Sequence, residues 1–166
     1  MIDYKKMRET VPKGLKEHIG VPVIRGNQTA PAPPYPFLSY NVTMIASANN
    51  GTWEVHADGT DRKLVRSTWS ISSLSDDWDE SVQNAIRARE WFDHSGRTWL
   101  AERGITVQSV GEITNRDNIL SVEYERKNGF DVVFYMYDEA ATMAEINGHI
   151  ETAAPKYIEL EQPKED

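Results

Sequence analysis

Asp76, Asp77, Asp79 and Glu80 form the densest run of carboxylates in the chain, and such a run is the first place to look for a bound cation. Their spacing does not make a calcium loop, which sets ligands at alternate positions around a glycine and ends in a distal glutamate. Helix capping accounts for them better, because acidic residues accept bonds from the N–H groups of a first turn and suit the positive end of the helix dipole. The four histidines, His18, His56, His94 and His149, are scattered, with no pair at the one-turn spacing of a helical zinc site. A nucleophilic serine needs a neighbouring base and a turn that exposes it, and no Gly-x-Ser-x-Gly elbow occurs. Pairs such as Asp93 with His94, or Asp131 with His56, can be drawn on paper, but 26 acids in 166 residues generate such pairs by chance. Neither a Gly-x-Gly-x-x-Gly phosphate loop nor a Gly-Lys-Ser/Thr ending is present. The expectation is a protein that is not an enzyme, with no catalytic, cofactor-binding or metal-binding residues.

Composition narrows the partners. A chain of 166 residues fits one domain, which at this size buries about 70% of the surface its unfolded form exposes. Five tryptophans and seven tyrosines are generous, and large aromatics both fill cores and anchor interfaces. The formal charge of −8 argues against wrapping nucleic acid, which needs clustered Lys or Arg to displace counterions. Any contact with DNA is expected to be glancing. With no cysteine, neither a disulfide framework nor a thiolate metal site can form. Met-Ile-Asp-Tyr-Lys-Lys opens in polar, helix-like sequence without an apolar signal region, and no run is long enough to span a bilayer. A cytoplasmic site of synthesis and no membrane partner are the expectations.

The elements that would position any site follow from periodicity. Tyr4, Met7, Val11, Leu15 and Ile19 repeat at three- and four-residue steps, predicting a first helix that Pro12 kinks or breaks and Gly20 stops. From Leu38 the period becomes two, with Leu38, Tyr40, Val42 and Met44 on one face. A second strand runs from about Lys63 to Leu74. Between them residues 47–61 carry the turn signals Asn50-Gly51 and Asp58-Gly59 together with Trp53 and Val55, predicting a protruding hairpin loop with an aromatic for contact. A second helix opens at Ser75-Asp-Asp and stops near Gly96, and a short turn through Trp99 and Leu100 stops at Gly104. A third strand begins at Ile105 with a bulge near Gly111, and Asn115 to Asn118 reads as a turn. Asn128-Gly129 is a hairpin signal, yet Leu120, Val122, Tyr124, Phe130, Val132 and Phe134 stay in phase across it as in one long bent strand, so both connections stand. Ile146 to Ile150 reads as a short strand. The sum is an α+β fold: an antiparallel or mixed sheet with two main helices on one face, in a single domain over residues 1–150, followed by a polar tail, 151–166, expected to be flexible.

One segment points away from catalysis. Between Arg25 and Tyr40, Pro31, Pro33, Pro34 and Pro36 fix φ and remove N–H donors, which dictates a stiff, extended approach to the strand that follows. Such a segment is suited to contact between subunits. The same residues, Arg25-Gly-Asn-Gln-Thr-Ala-Pro and Tyr35-Pro-Phe-Leu-Ser-Tyr, resemble the opening of the phage neck terminator family, tail-terminator-like proteins of long-tailed phages of Gram-positive hosts. Thr68-Trp-Ser-Ile with Ser75-Asp-Asp, Ala88-Arg-Glu-Trp-Phe, and Ile113-Thr-Asn-Arg-Asp-Asn leading through Tyr124-Glu to Gly129-Phe-Asp-Val-Val-Phe continue the resemblance in order.

That resemblance implies an α+β fold assembled as a ring, with six copies around the tail axis. It also implies a virion protein of the neck that ends tail-tube growth and docks the head connector. Its partners would be itself, the tail tube protein and a head-completion or connector protein, in the host cytoplasm during assembly and in the virion neck or tail afterwards. Tyr35, Phe37, Trp53 and Arg116 are the expected interface residues. For Arg116 the other reading is that Asn115-Arg-Asp-Asn simply caps a turn. Two rival functions stand beside this one: a small-ligand-binding or hydrolytic α+β domain enclosing a pocket, and a head-closure or tail-completion protein of related fold.

Overall fold

The structure is a computed structural model that describes residues 3–27, 29–48, 53–57, 59–117 and 125–141. Among these, three helices, α1 (Tyr4–Ile19), α2 (Trp78–Asp93) and α3 (Ser95–Ala101), pack on one open, mixed sheet of seven strands. The strands are β1 (Val23–Arg25), β2 (Phe37–Ala48), β3 (Glu54–Val55), β4 (Thr60–Ser75), β5 (Thr106–Val110), β6 (Thr114–Asn115) and β7 (Arg126–Ala141). They lie in the order β1-β2-β4-β7-β5, with β3 continuing the line of β2 along β4 and β6 continuing that of β5 along β7. Only β1 and β2 pair in parallel. The α+β expectation holds, and no helix among the described residues is long and apolar enough to cross a membrane.

The stripe Met7, Val11, Leu15 and Ile19 is buried, which seats α1 on the sheet. Asp3 caps it by accepting from the Lys6 N–H at 2.9 Å, and Gly20, at φ 86°, ends it. Pro12 does not break the helix. A mid-helix proline costs about 3 kcal/mol, whereas each buried side chain of the stripe contributes about 1.5–3 kcal/mol. The carbonyl deprived of its bond belongs to Arg8, on the exposed side.

α2 begins where the acids predicted. Asp77 accepts from the Glu80 N–H at 2.8 Å, while Glu80 reaches back to accept from the Ser75 hydroxyl at 2.6 Å, so two of the four carboxylates close a cap. Its inner face is rotated from the one that the spacing of Val82, Ala85, Ile86 and Phe92, extended by Ala88 and Trp91, predicts. Ser81 and Asn84 are buried beside Ala85, Ala88, Trp91 and Phe92, and Val82 and Ile86 are only half-buried. The Ser81 hydroxyl explains the rotation: it donates to Ser73 O at 3.1 Å and accepts from Asn128 Nδ2 at 3.1 Å, tying the helix start to two strands. Gly96 does not end α2, which stops at Asp93. Gly96 is buried inside α3, where an added Cβ would come within 2.5 Å of the Trp91 ring.

β4 and β7 pair without interruption from Thr60↔Ala141 to Ser75↔Arg126. Asn128-Gly129 therefore lies inside a long strand and makes no hairpin turn. Trp69 sits at the centre of the core, stacked on Tyr40 at 5.0 Å and edge-on to Phe134 at 5.6 Å. Leu38, Tyr40 and Val42 share the helix-facing side as expected, but Met44 does not. A register shift after Val42 sets Met44 opposite Thr68, on the face that carries no helix. The irregularity expected at Gly111 falls earlier, between Val107 and Ser109. The expected strand at Ile146 to Ile150, the residues Leu120 to Tyr124 and the tail 151–166 lie outside the described residues.

Candidate functional site

The long β4–β7 pair divides into two parts. Val65 and Met136 are its last buried apolar residues, and from Thr60 to Leu64 and Tyr137 to Ala140 none is buried. This less buried stretch of the ribbon is about 16 Å long. β3 lines it, turning into β4 through His56 N–H to Thr60 O at 2.9 Å. Trp53 leads into this hairpin and is 42% exposed, and Val55 is 80% exposed. Among the described residues of the expected 47–61 loop, 47–48, 54–55 and 60–61 are strand, and Trp53 immediately precedes β3.

At the other end of the same strands, Tyr35 is exposed and stacks flat on Phe37 at 5.4 Å, its hydroxyl donating to Glu125 at 3.0 Å. Phe37 itself is only 4% exposed, opposite Leu74, so it supports the Tyr35 ring and offers no surface of its own. Trp78, at the start of α2, is exposed at this same end. Trp78, Ile45, Val55 and Tyr137 were not singled out as contact residues. The signal for Trp78 was present: a tryptophan inside a run of capping acids occupies a first helical turn, where little covers it.

Arg116 turns inward. Its guanidinium donates to Ser70 Oγ, to Asp131 Oδ1 at 3.0 Å and to Thr114 Oγ1 at 3.2 Å, crossing from β6 over β7 to β4 on the helix-free face. Gly129 leaves the space for it, since a Cβ there would lie 2.4 Å from Ile71 O and 3.1 Å from Arg116 Nη1. Asp117 completes the turn, accepting from the Lys127 N–H at 2.6 Å. Burial acts to raise its pKa, but the bonds from Lys127, Asn115 and Arg126 outweigh that and hold the carboxyl below its ordinary range. The capping reading describes this segment, and the Arg116 side chain is spent within its own subunit.

Of the histidines, His18 and His94 meet at one surface hollow beside Trp91. Among the described residues no three His, Asp or Glu side chains gather as a metal site. A separate cleft of about 350 Å³ runs between the start of α1 and β7, lined by Lys6, Met7, Arg103, Ile105, Met136 and Tyr137.

Comparison with curated proteins returns no match. The family model described as phage neck terminator protein matches residues 9–160, spanning both helix-covered and bare parts of the sheet. The chain therefore belongs to the phage neck terminator family and is a structural protein of the phage neck.

Proposed function

We propose that copies of this protein close into a ring, of six subunits by family resemblance, that stops growth of the tail tube and offers its opposite side to the head connector. One observation carries this reading: exposed apolar side chains sit at both ends of the longest strands, on different elements at each end. Tyr35 and Trp78 mark one end, and Trp53, Val55 and Tyr137 the other. Fifteen strand rises separate Thr60 from Ser75, about 50 Å. A terminator needs two such surfaces, one for the tube and one for the connector, because a surface that matched the tube on both sides would let growth continue. The charge of −8 suits a ring through which DNA passes without sticking.

The test is tube growth in the presence of the purified protein, with lengths read by electron microscopy. Tubes that stop, each with extra density at one end, are expected. Tubes that lengthen at the same rate and carry no cap would remove termination from the account.

A further inference from the structure

Where α1, α2 and α3 meet, two adjoining hollows of about 380 Å³ and 310 Å³ share Trp91, His18 and Ser95. Gly14 lets two indole rings lie close against α1 beside these hollows. A Cβ on Gly14 would lie 2.6 Å from the Trp99 ring and 2.9 Å from Trp91. Glu17, Glu90 and Asp93 stand around this groove, with Arg97 3.9 Å from Asp93 and Arg103 stacked 3.8 Å from the Trp99 ring centre; the floor is the edge of the buried Trp91 with Trp99, and carboxylates predominate on the rim.

The β1–β2 connection has the matching chemistry. Strand geometry puts Arg25 and Phe37 about 11 Å apart, whereas the chain between them reaches about 40 Å when extended. It must stand out as a loop, and Asn27, Thr29 to Ala32, Pro34 and Tyr35 are exposed along it. Its four prolines are stiff before any contact forms, and proline-rich segments dock on aromatic grooves because little entropy is lost in doing so. Among 26 acids in the chain, none falls between Arg25 and Phe37, so nothing in the loop is repelled by the rim.

A subunit's own loop is not placed to fill its own groove. Gly26 lies against the Asn41 side chain and Tyr35 against Phe37, and both partners are on the helix-free face, with Asn41 opposite Ser70 and Phe37 opposite Leu74. Loop and groove belong to opposite faces. We infer that the Pro31–Pro36 loop of one copy seats in the Trp91–Trp99 groove of a second copy. This rests on the ring reading and gives it a head-to-tail contact, which is the kind that closes rings.

The chain has no native cysteine, so Ala32→Cys and Ser95→Cys, both at exposed positions, can be combined in one protein and mildly oxidised. A ladder of covalent multimers is expected, several-fold stronger than for Ala32→Cys paired with Gln83→Cys, an exposed α2 position outside the groove. In parallel, a synthetic peptide of residues 25–37 is added to the full chain and the indole N–H resonances are followed. Trp91 and Trp99 are expected to shift while Trp53, Trp69 and Trp78 stay, and a peptide with serine for each proline is expected to move none. Mass by light scattering separates the two claims. Closed rings with neither ladder nor indole shift overturn the loop contact and leave the ring standing. A monomer whose Trp91 and Trp99 respond to the peptide supports the contact and overturns the ring, and a monomer with no response overturns both.

Discussion

The same two strands live two lives along their length. From Val65 to Ser75, with Arg126 to Met136, the β4–β7 pair lies under helices and buries Trp69, Ile71, Phe130, Val132 and Phe134 on one face. From Thr60 to Leu64, with Tyr137 to Ala140, the ladder runs on with unbroken register but no side chain is fully buried, and Tyr137 on β7 and Val55 on β3 are exposed. Backbone pairing and polar cross-strand contacts such as Arg62 to Glu139 at 3.0 Å join the ribbon, while side-chain burial holds the body together.

The largest expected break is in the covered part. Trp69→Ala removes a fully buried ring with three aromatic neighbours and is expected to cost about 3–5 kcal/mol in urea unfolding. A loss below 1 kcal/mol would mean the core is not centred there. Next is Gly129→Ala, whose new methyl meets a strand backbone that cannot swing aside; about 1–3 kcal/mol is expected, with the β4–β7 amides near residue 72 exchanging faster. Arg116→Ala should cost about 1–2 kcal/mol by loss of its charge-assisted bonds, discounted for the exposed Asp131 carboxylate. Its assembled mass should not change; dissociation at full stability would return Arg116 to the interface. Smallest is the double change Trp53→Ser with Val55→Ser, expected to move stability by no more than about 0.5 kcal/mol. Tube capping should nevertheless fail, and unaltered capping would show that the ribbon is not a contact surface.

Much of the frame was legible because it rests on periodicity and capping. The α1 stripe, the Ser75-Asp-Asp start, the Gly20 and Gly104 stops and the strand phases of Leu38 to Val42 all depend on neighbours within a few residues. What escaped depends on partners distant in sequence. Asn128-Gly129 carries the local chemistry of a turn, yet glycine is there to admit Arg116 and the Ile71 carbonyl, 13 and 58 positions away. Gly96 makes room for the Trp91 ring, a contact set by the bend between α2 and α3 and not by a helix stop. Phe37 and Arg116 are of the types that interfaces use, and within the subunit Phe37 stacks on Tyr35 while Arg116 bonds Ser70, Thr114 and Asp131, the first and last of these far away in sequence. The parallel strand β1, three residues long, has no period to read.

Absolute mass by light scattering after size exclusion, over a concentration series with and without tail tube protein, bears most directly on the central claim. The account predicts a closed species of fixed mass, alone or once tube ends are supplied, that does not grow as concentration rises. A monomer under both conditions, or an open series lengthening with concentration, would contradict it.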